Sequence, residues 1–226
     1  MGRIIPVLIG LFALVVAVAT WLHWHDRSAE SSTPQPSRDY DTARAQLAGL
    51  AVEGWDRHSD FSRYRFGEPW SDDVDVEFGH NGCNTRDDIL RRDLTQLAVR
   101  PGTCFAQSGV LIDPYTAQSI AFMRGPETSE TVQIDHVVSL SDAWYKGARE
   151  WDDQRRRDFA NDPRNLLAVG AKANFDKAFR DANGWLPPNP AFQCAFVARQ
   201  VAVKSSYRLS VSANEKRAMA AVLDRC

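Results

Sequence analysis

Residues 4–22, IIPVLIGLFALVVAVATWL, run apolar without a single charge. At about 1.5 Å per residue such a helix spans roughly 28 Å, close to the hydrocarbon thickness of a bilayer. The pattern then breaks at residues 26–38, DRSAESSTPQPSR, where Ser and Pro replace apolar side chains. That stretch buries too little surface to offset its ordering entropy and reads as a flexible tether. Periodicity returns near Asp39. Residues 42–54 place Ala43, Leu47, Leu50 and Ala51 on one helical face, and residues 55–82 are loop-rich. Asn84 or Thr85 caps a helix predicted through Ala98, with Ile89, Leu90, Leu94 and Leu97 as its stripe. SGVLIDPYTAQSIAF predicts a hairpin turning over residues 113–116, and residues 131–138 predict a strand after the Gly125-Pro126 break.

In the second half, Asp152 opens a charged helix over residues 153–160, NLLAV at residues 165–169 suits a short strand, and residues 171–181 are helical in composition. Asn189 followed by Pro190 is a cap with proline at the first helical position, and that helix runs to about Ser206. Ser212-Ala213-Asn214-Glu215 is a capping-box pattern opening the last helix. Strands and helices mix without alternation, so the fold class is α+β. From Cys194 the chain climbs about 18 Å, turns near residues 207–211, and descends about 21 Å to Cys226, at about 1.5 Å per residue. This helical hairpin returns Cys226 beside Cys194, which favours the pairs Cys194–Cys226 and Cys83–Cys104. Four buried free thiols are the rival reading.

Composition narrows the function. Lys and Arg total 27 against 29 Asp and Glu, a formal charge of -2 over 226 residues. Proteins that hold nucleic acid by charge alone carry a large positive excess, so a polybasic binder is excluded, while an enzyme that touches a polyanion briefly is not. Arg3 and the amino terminus precede the apolar run, so the remainder is expected outside the cytoplasm. The Ala17-Val18-Ala19 triplet resembles a small-residue cleavage site, so residues 1–25 read as a cleaved signal peptide or a retained membrane anchor, with a buried core helix as the bland alternative. The exported domain is then residues 39–226, secreted or anchored outside the cytoplasmic membrane. The four cysteines form no CxxC pair, which argues for disulfides over a zinc knuckle and fits export.

No G-x-S-x-G, H-E-x-x-H or Gly-rich phosphate loop occurs. In the exported part histidine is confined to His58, His80 and His136. His136 stands in QIDHVV, where a carboxylate and an imidazole sit together at the end of an apolar strand that would otherwise discourage both. Asn165 follows in NDPRNLLAV, and Asn174 and Lys177 share a helical face in AKANFDKAFRD. Asp135 and the amide oxygen of Asn174 could hold one hard cation, with water completing its shell. A neutral His136 could then take a proton from an attacking water.

IDHVVSLSDAW, FANDPRNLLAV and N-x-x-K, in that order and followed by WLPPN, resemble an HNH, or ββα-metal, endonuclease motif over residues 131–188. More closely the chain is similar to secreted actinobacterial HNH proteins related to the C-terminal domain of GmrSD-type restriction endonucleases. Looser likeness extends to GCNTRDDILRRDL and DPYT upstream and to CAFVARQVAVK downstream. The resemblance implies a ββα core among surrounding helices and metal-dependent hydrolysis of DNA phosphodiesters, with RNA a second candidate. His136 would be the general base, Asp135 a metal ligand, and Asn165 the residue that orients the loop and the imidazole. Asn174 stands where the last histidine of the name usually sits; an oxygen ligand there favours Mg²⁺, with Mn²⁺ an alternative. Lys177 would contact phosphate or support Asn174. Arg86, in CNTRDD, is a phosphate-gripping candidate with a structural ion pair as its rival. The run 155–157 of three arginines reads as a solvated face, His80 as a loop histidine, and Trp144, Trp151 and Trp185 as core or surface anchors. The protein is expected to be a monomer of low sequence preference. Two other readings keep the scaffold: a non-catalytic exported binding module, and a nuclease effector delivered to competing bacteria.

Overall fold

Residues 40–54, 60–126 and 128–226 are described by a computed structural model. They fall within one unit, Asp39–Cys226. The apolar run, the tether and His58 lie outside the described residues, among which no helix is long and apolar enough to cross a membrane.

Helix α1 (Asp41–Gly49) buries Ala43 and Leu47, and Leu50 just past its end is buried too. It is shorter than its apolar stripe suggests, because Leu50 turns to extended backbone and leaves Ala51 exposed. Asn84 caps α2 (Thr85–Asp93) by accepting the Asp87 N–H. The expected continuation of this helix to Ala98 is wrong: Leu94–Val99 forms β1, antiparallel to β2 (Ala106–Ile112). Leu94 and Leu97 fit a helical stripe, but a tight turn at Pro101 and Gly102 lets LTQLAV pair its backbone with β2 instead. Gly102 takes φ 71, which suits a residue without Cβ. β3 (Ser119–Met123) completes the order β1-β2-β3. The β2–β3 turn lies where expected, with Asp113 accepting the Tyr115 N–H at 3.1 Å and the Thr116 hydroxyl at 2.6 Å.

β4 (Val132–His136) pairs antiparallel with β5 (Leu166–Gly170), setting Asp135 opposite Leu167 and His136 opposite Leu166. Between them lie α3 (Leu140–Tyr145), which apolar periodicity did not announce, and α4 (Asp153–Asn161), capped by Asp152 as expected. α5 (Ala171–Lys177) follows β5 directly, so strand, strand and helix form one unit. It ends before Asp181 because Ala178 adopts φ 51 while its N–H closes on the Asn174 carbonyl at 2.9 Å. α6 (Pro190–Tyr207) and α7 (Ala213–Leu223) make the helical hairpin, with Arg208 left-handed at the break and the Ser212–Glu215 capping box formed. Both disulfides are the expected ones, Cys83–Cys104 and Cys194–Cys226, with Cα separations of 5.6 and 6.0 Å. The fold is mixed α+β and disulfide-stapled.

Three apolar clusters hold these parts together. One joins α1, α6 and α7 to β5, a second packs α3 and α4 around Phe66 and Phe159, and a third places α2 between the two sheets. Each fully buried Leu, Ile or Phe stabilises by roughly 1.5–3 kcal/mol. The arginine run is no solvated face: Arg156 is only 8% exposed and donates to the carbonyls of Arg65 and Arg149, while Arg155 donates to the Tyr207 carbonyl and lies over Trp151. Trp144 is core, and His80 is exposed beside Asp75.

Candidate active site

His136 ends β4, where the strand turns its ring against the last turn of α4. Its Nε2 lies 2.8 Å from the Ala160 carbonyl, one of the carbonyls a helix leaves unpaired at its C-terminal end. A carbonyl only accepts, so Nε2 carries the proton and Nδ1 is the basic nitrogen. Trp70 stacks on the ring with centroids 6.0 Å apart and planes 13° from parallel. Trp70 itself sits at φ 59, a conformation uncommon for a bulky side chain, so surrounding structure holds it there. Burial drives the imidazole pKa down to about 3; Arg63 and Lys177 push the same way, against the Ala160 hydrogen bond. The ring is neutral at physiological pH.

Asp135, one residue earlier, points to the opposite face of β4. Its Oδ2 accepts the Tyr115 hydroxyl at 2.6 Å and its Oδ1 accepts Lys177 Nζ at 3.0 Å. Burial raises its pKa despite these partners, and burial also raises that of Tyr115, which stays a donor. Lys177 has no exposed surface and donates a second bond, at 2.8 Å, to the His136 carbonyl. In this position the ammonium does not reach a phosphate in the cleft, nor does it bond Asn174; it ties α5 to the Asp135–His136 backbone. Tyr115 comes from the β2–β3 turn. DPYT drew notice as a turn, and nothing in its pattern announces that its phenol reaches Asp135.

Asn165, fully buried at the start of β5, clamps the loop that leaves His136. Its Oδ1 accepts the Val138 N–H at 2.8 Å, its Nδ2 donates to the Val138 carbonyl at 3.1 Å, and its own carbonyl accepts the Val137 N–H at 2.8 Å. Asn174 on α5 donates from Nδ2 to Gln133 Oε1 at 2.7 Å, leaving its amide oxygen as the side chain's acceptor. Arg86 is partly buried and donates to the carbonyls of Ser129 and Val132 at 3.2 and 3.0 Å, rather than pairing with an acid. Burial lowers its pKa, and neighbouring Arg124 lowers it further.

A cleft of about 620 Å³ is lined by Asp135, His136, Gln133, Asn174, Arg63 and Arg86. The oxygen donors there for a hard divalent cation are the Asp135 carboxylate and the Asn174 amide oxygen, and a cation on Asp135 would share that carboxylate with the Lys177 ammonium and the Tyr115 hydroxyl. A second grouping of acids, Asp142, Asp181 and Glu215, has ligand atoms within 4.8 Å of one another. Two ammoniums already fill it. Lys146 contacts all three acids, and Lys204 lies 2.6 Å from Asp142 and 2.8 Å from Glu215. Burial would lower the Lys146 pKa, but Asp142 and Glu215 outweigh it and raise the value. This network joins α3, α6 and α7; a further cation there would meet two positive charges.

Residues 84–222 match the family described as GmrSD restriction endonucleases, C-terminal domain. An "Uncharacterized secreted protein" of Arthroderma benhamiae (strain ATCC MYA-4681 / CBS 112371) is 35% identical over 196 residues, covering 86% of this chain and 89% of that protein. No solved structure matches.

Proposed function

The chain belongs to the family of GmrSD restriction endonuclease C-terminal domains, and we propose that its His136 cleft hydrolyses phosphodiester bonds of DNA, with RNA the second candidate. The observation that carries this is the Ala160 carbonyl on Nε2, which leaves His136 Nδ1 as a fixed acceptor bordering the cleft. Nδ1 takes a proton from water as its oxygen attacks phosphorus, the bond to the 3′ oxygen breaks with its electron pair, and that oxygen leaves as a hydroxyl protonated by solvent water. A free-state pKa of about 3 makes this a weak base; a bound phosphate's negative charge raises its proton affinity towards the useful range. A divalent cation held by Asp135 and Asn174, Mg²⁺ first and Mn²⁺ second, would supply positive charge to the phosphoryl group.

The remaining residues position these two. Lys177 and Tyr115 fix Asp135, Asn165 fixes the loop after His136, and Trp70 limits the ring's rotation. Arg63 and Arg86 supply the cleft's positive wall. The formal charge of -2 supports brief contact with a monomeric enzyme of low sequence preference. Two disulfides and the relative's description as secreted support a place outside the cytoplasm, residues 1–25 acting as signal or anchor and residues 26–38 as tether.

The test is plasmid nicking by the full-length protein with Mg²⁺, with EDTA, and with His136→Ala. Nicking by the wild-type protein with Mg²⁺ alone is expected, and equal activity in all three removes the proposal.

A further inference from the structure

The three most exposed large apolar side chains among the described residues are Tyr64, Phe175 and Phe179, at 88%, 83% and 62%. All three border the space around His136. Phe175 and Phe179 line the 620 Å³ cleft, and Tyr64 lines a neighbouring hollow of about 460 Å³. The two spaces share Arg63, Trp70, His136 and Leu140, so they adjoin at His136 and together make a trough. Each is within the size range of a small-ligand pocket.

Aromatic rings left in water around a site are unexplained by packing, and a nucleic-acid substrate gives them a use. Bases in a duplex already stack on one another and offer no free face, whereas each unstacked base can lie on a ring. Charge argues the same way. Among the described residues only Arg63 and Arg86 bring fixed cations to the trough walls, and Arg86 already donates to two carbonyls. A duplex reader that works by neutralising phosphates needs more. One further group awaits a partner: Asn161, 1% exposed and lining the second hollow, has a buried Oδ1 with no hydrogen bond.

We propose that the trough selects single-stranded nucleic acid, the bases beside the scissile phosphate stacking on Phe175 and Phe179 on one side and on Tyr64 on the other. This rests on the nuclease reading above and names its substrate class. The test gives the full-length protein, with Mg²⁺, a short labelled DNA strand, the matching RNA strand and the duplex. Single strands should be cut with kcat/KM at least about tenfold above duplex. Phe175→Ala and Phe179→Ala should each raise the single-strand KM about tenfold, and Phe179→Trp should restore it. His136→Ala should lower kcat instead. Equal cutting of duplex and single strands, with both phenylalanine variants unchanged, overturns this inference and leaves the nuclease reading standing. No cleavage of any polynucleotide overturns both. The DNA and RNA arms decide which single strand is the better substrate.

Discussion

Replacing Lys177 by Met removes one half of a fully buried ion pair while keeping a long unbranched side chain. The wild-type ammonium lies 3.0 Å from Asp135 Oδ1 and 2.8 Å from the His136 carbonyl, with no exposed surface. Without it Asp135 keeps only the Tyr115 hydroxyl, and its charge stands in a buried site. Breaking a buried pair on one side costs about 3–5 kcal/mol. The cost must depend on pH. Burial already raises the Asp135 pKa, and losing the ammonium raises it further. A carboxyl whose folded pKa lies above its unfolded value of about 3.9 favours folding below that value and loses the advantage as pH rises through the folded pKa. Urea unfolding of wild type and Lys177→Met should therefore differ by about 3–5 kcal/mol near pH 7, and by less at acid pH, where protonation of Asp135 relieves the unpaired charge. Adding Asp135→Asn to the variant should recover much of the loss near pH 7. A difference under about 1 kcal/mol at neutral pH, or one equal at both pH values, refutes the reasoning.

Asn165→Ala strips both hydrogen bonds from the Val138 backbone in a buried loop, and should cost about 2–4 kcal/mol in urea titrations along with most nuclease turnover. The His136 ring, with its pKa depressed to about 3, should show no chemical-shift titration in NMR down to about pH 4; a transition near 6.5 contradicts the buried geometry. The unfolded chain binds that proton more tightly, so this contribution to stability is complete above about 6.5 and is lost as pH falls towards about 3. Reduction of Cys83–Cys104 and Cys194–Cys226, with separations of 21 and 32 residues, should each cost about 3–4 kcal/mol, seen as lowered midpoints in denaturant with a thiol reductant.

Local signals carried much of this fold because they are local. The Asn84, Asp152, Asn189 and Ser212 caps accept backbone N–H groups two or three residues on, so the sequence shows both partners together. The Cys194–Cys226 pair follows from two helix lengths. Leu94 and Leu97 misled because their spacing satisfies a helix, and the pairing that overrides it comes from β2 across a turn. The site divides in the same way. Asp135 and His136 are adjacent in sequence, and Asn174 and Lys177 share a turn of helix. The groups that set their chemistry arrive from far along the chain: Tyr115 from a hairpin turn, the Ala160 carbonyl from a helix end, Trp70 from a loop. A backbone carbonyl has no sequence signature at all, yet this one fixes which nitrogen of His136 is basic. Lys177 gave the opposite lesson: the sequence placed it on phosphate or beside Asn174, and its burial against Asp135 and the His136 carbonyl appears only when β4 packs against α5.

Single-turnover cleavage of a labelled DNA strand by wild type and His136→Gly, each with Mg²⁺ and with or without added imidazole, tests the assignment of the base most directly. The account predicts a fall of about 10²–10⁴-fold in the variant and partial recovery with imidazole. Cleavage by His136→Gly at the wild-type rate would contradict it.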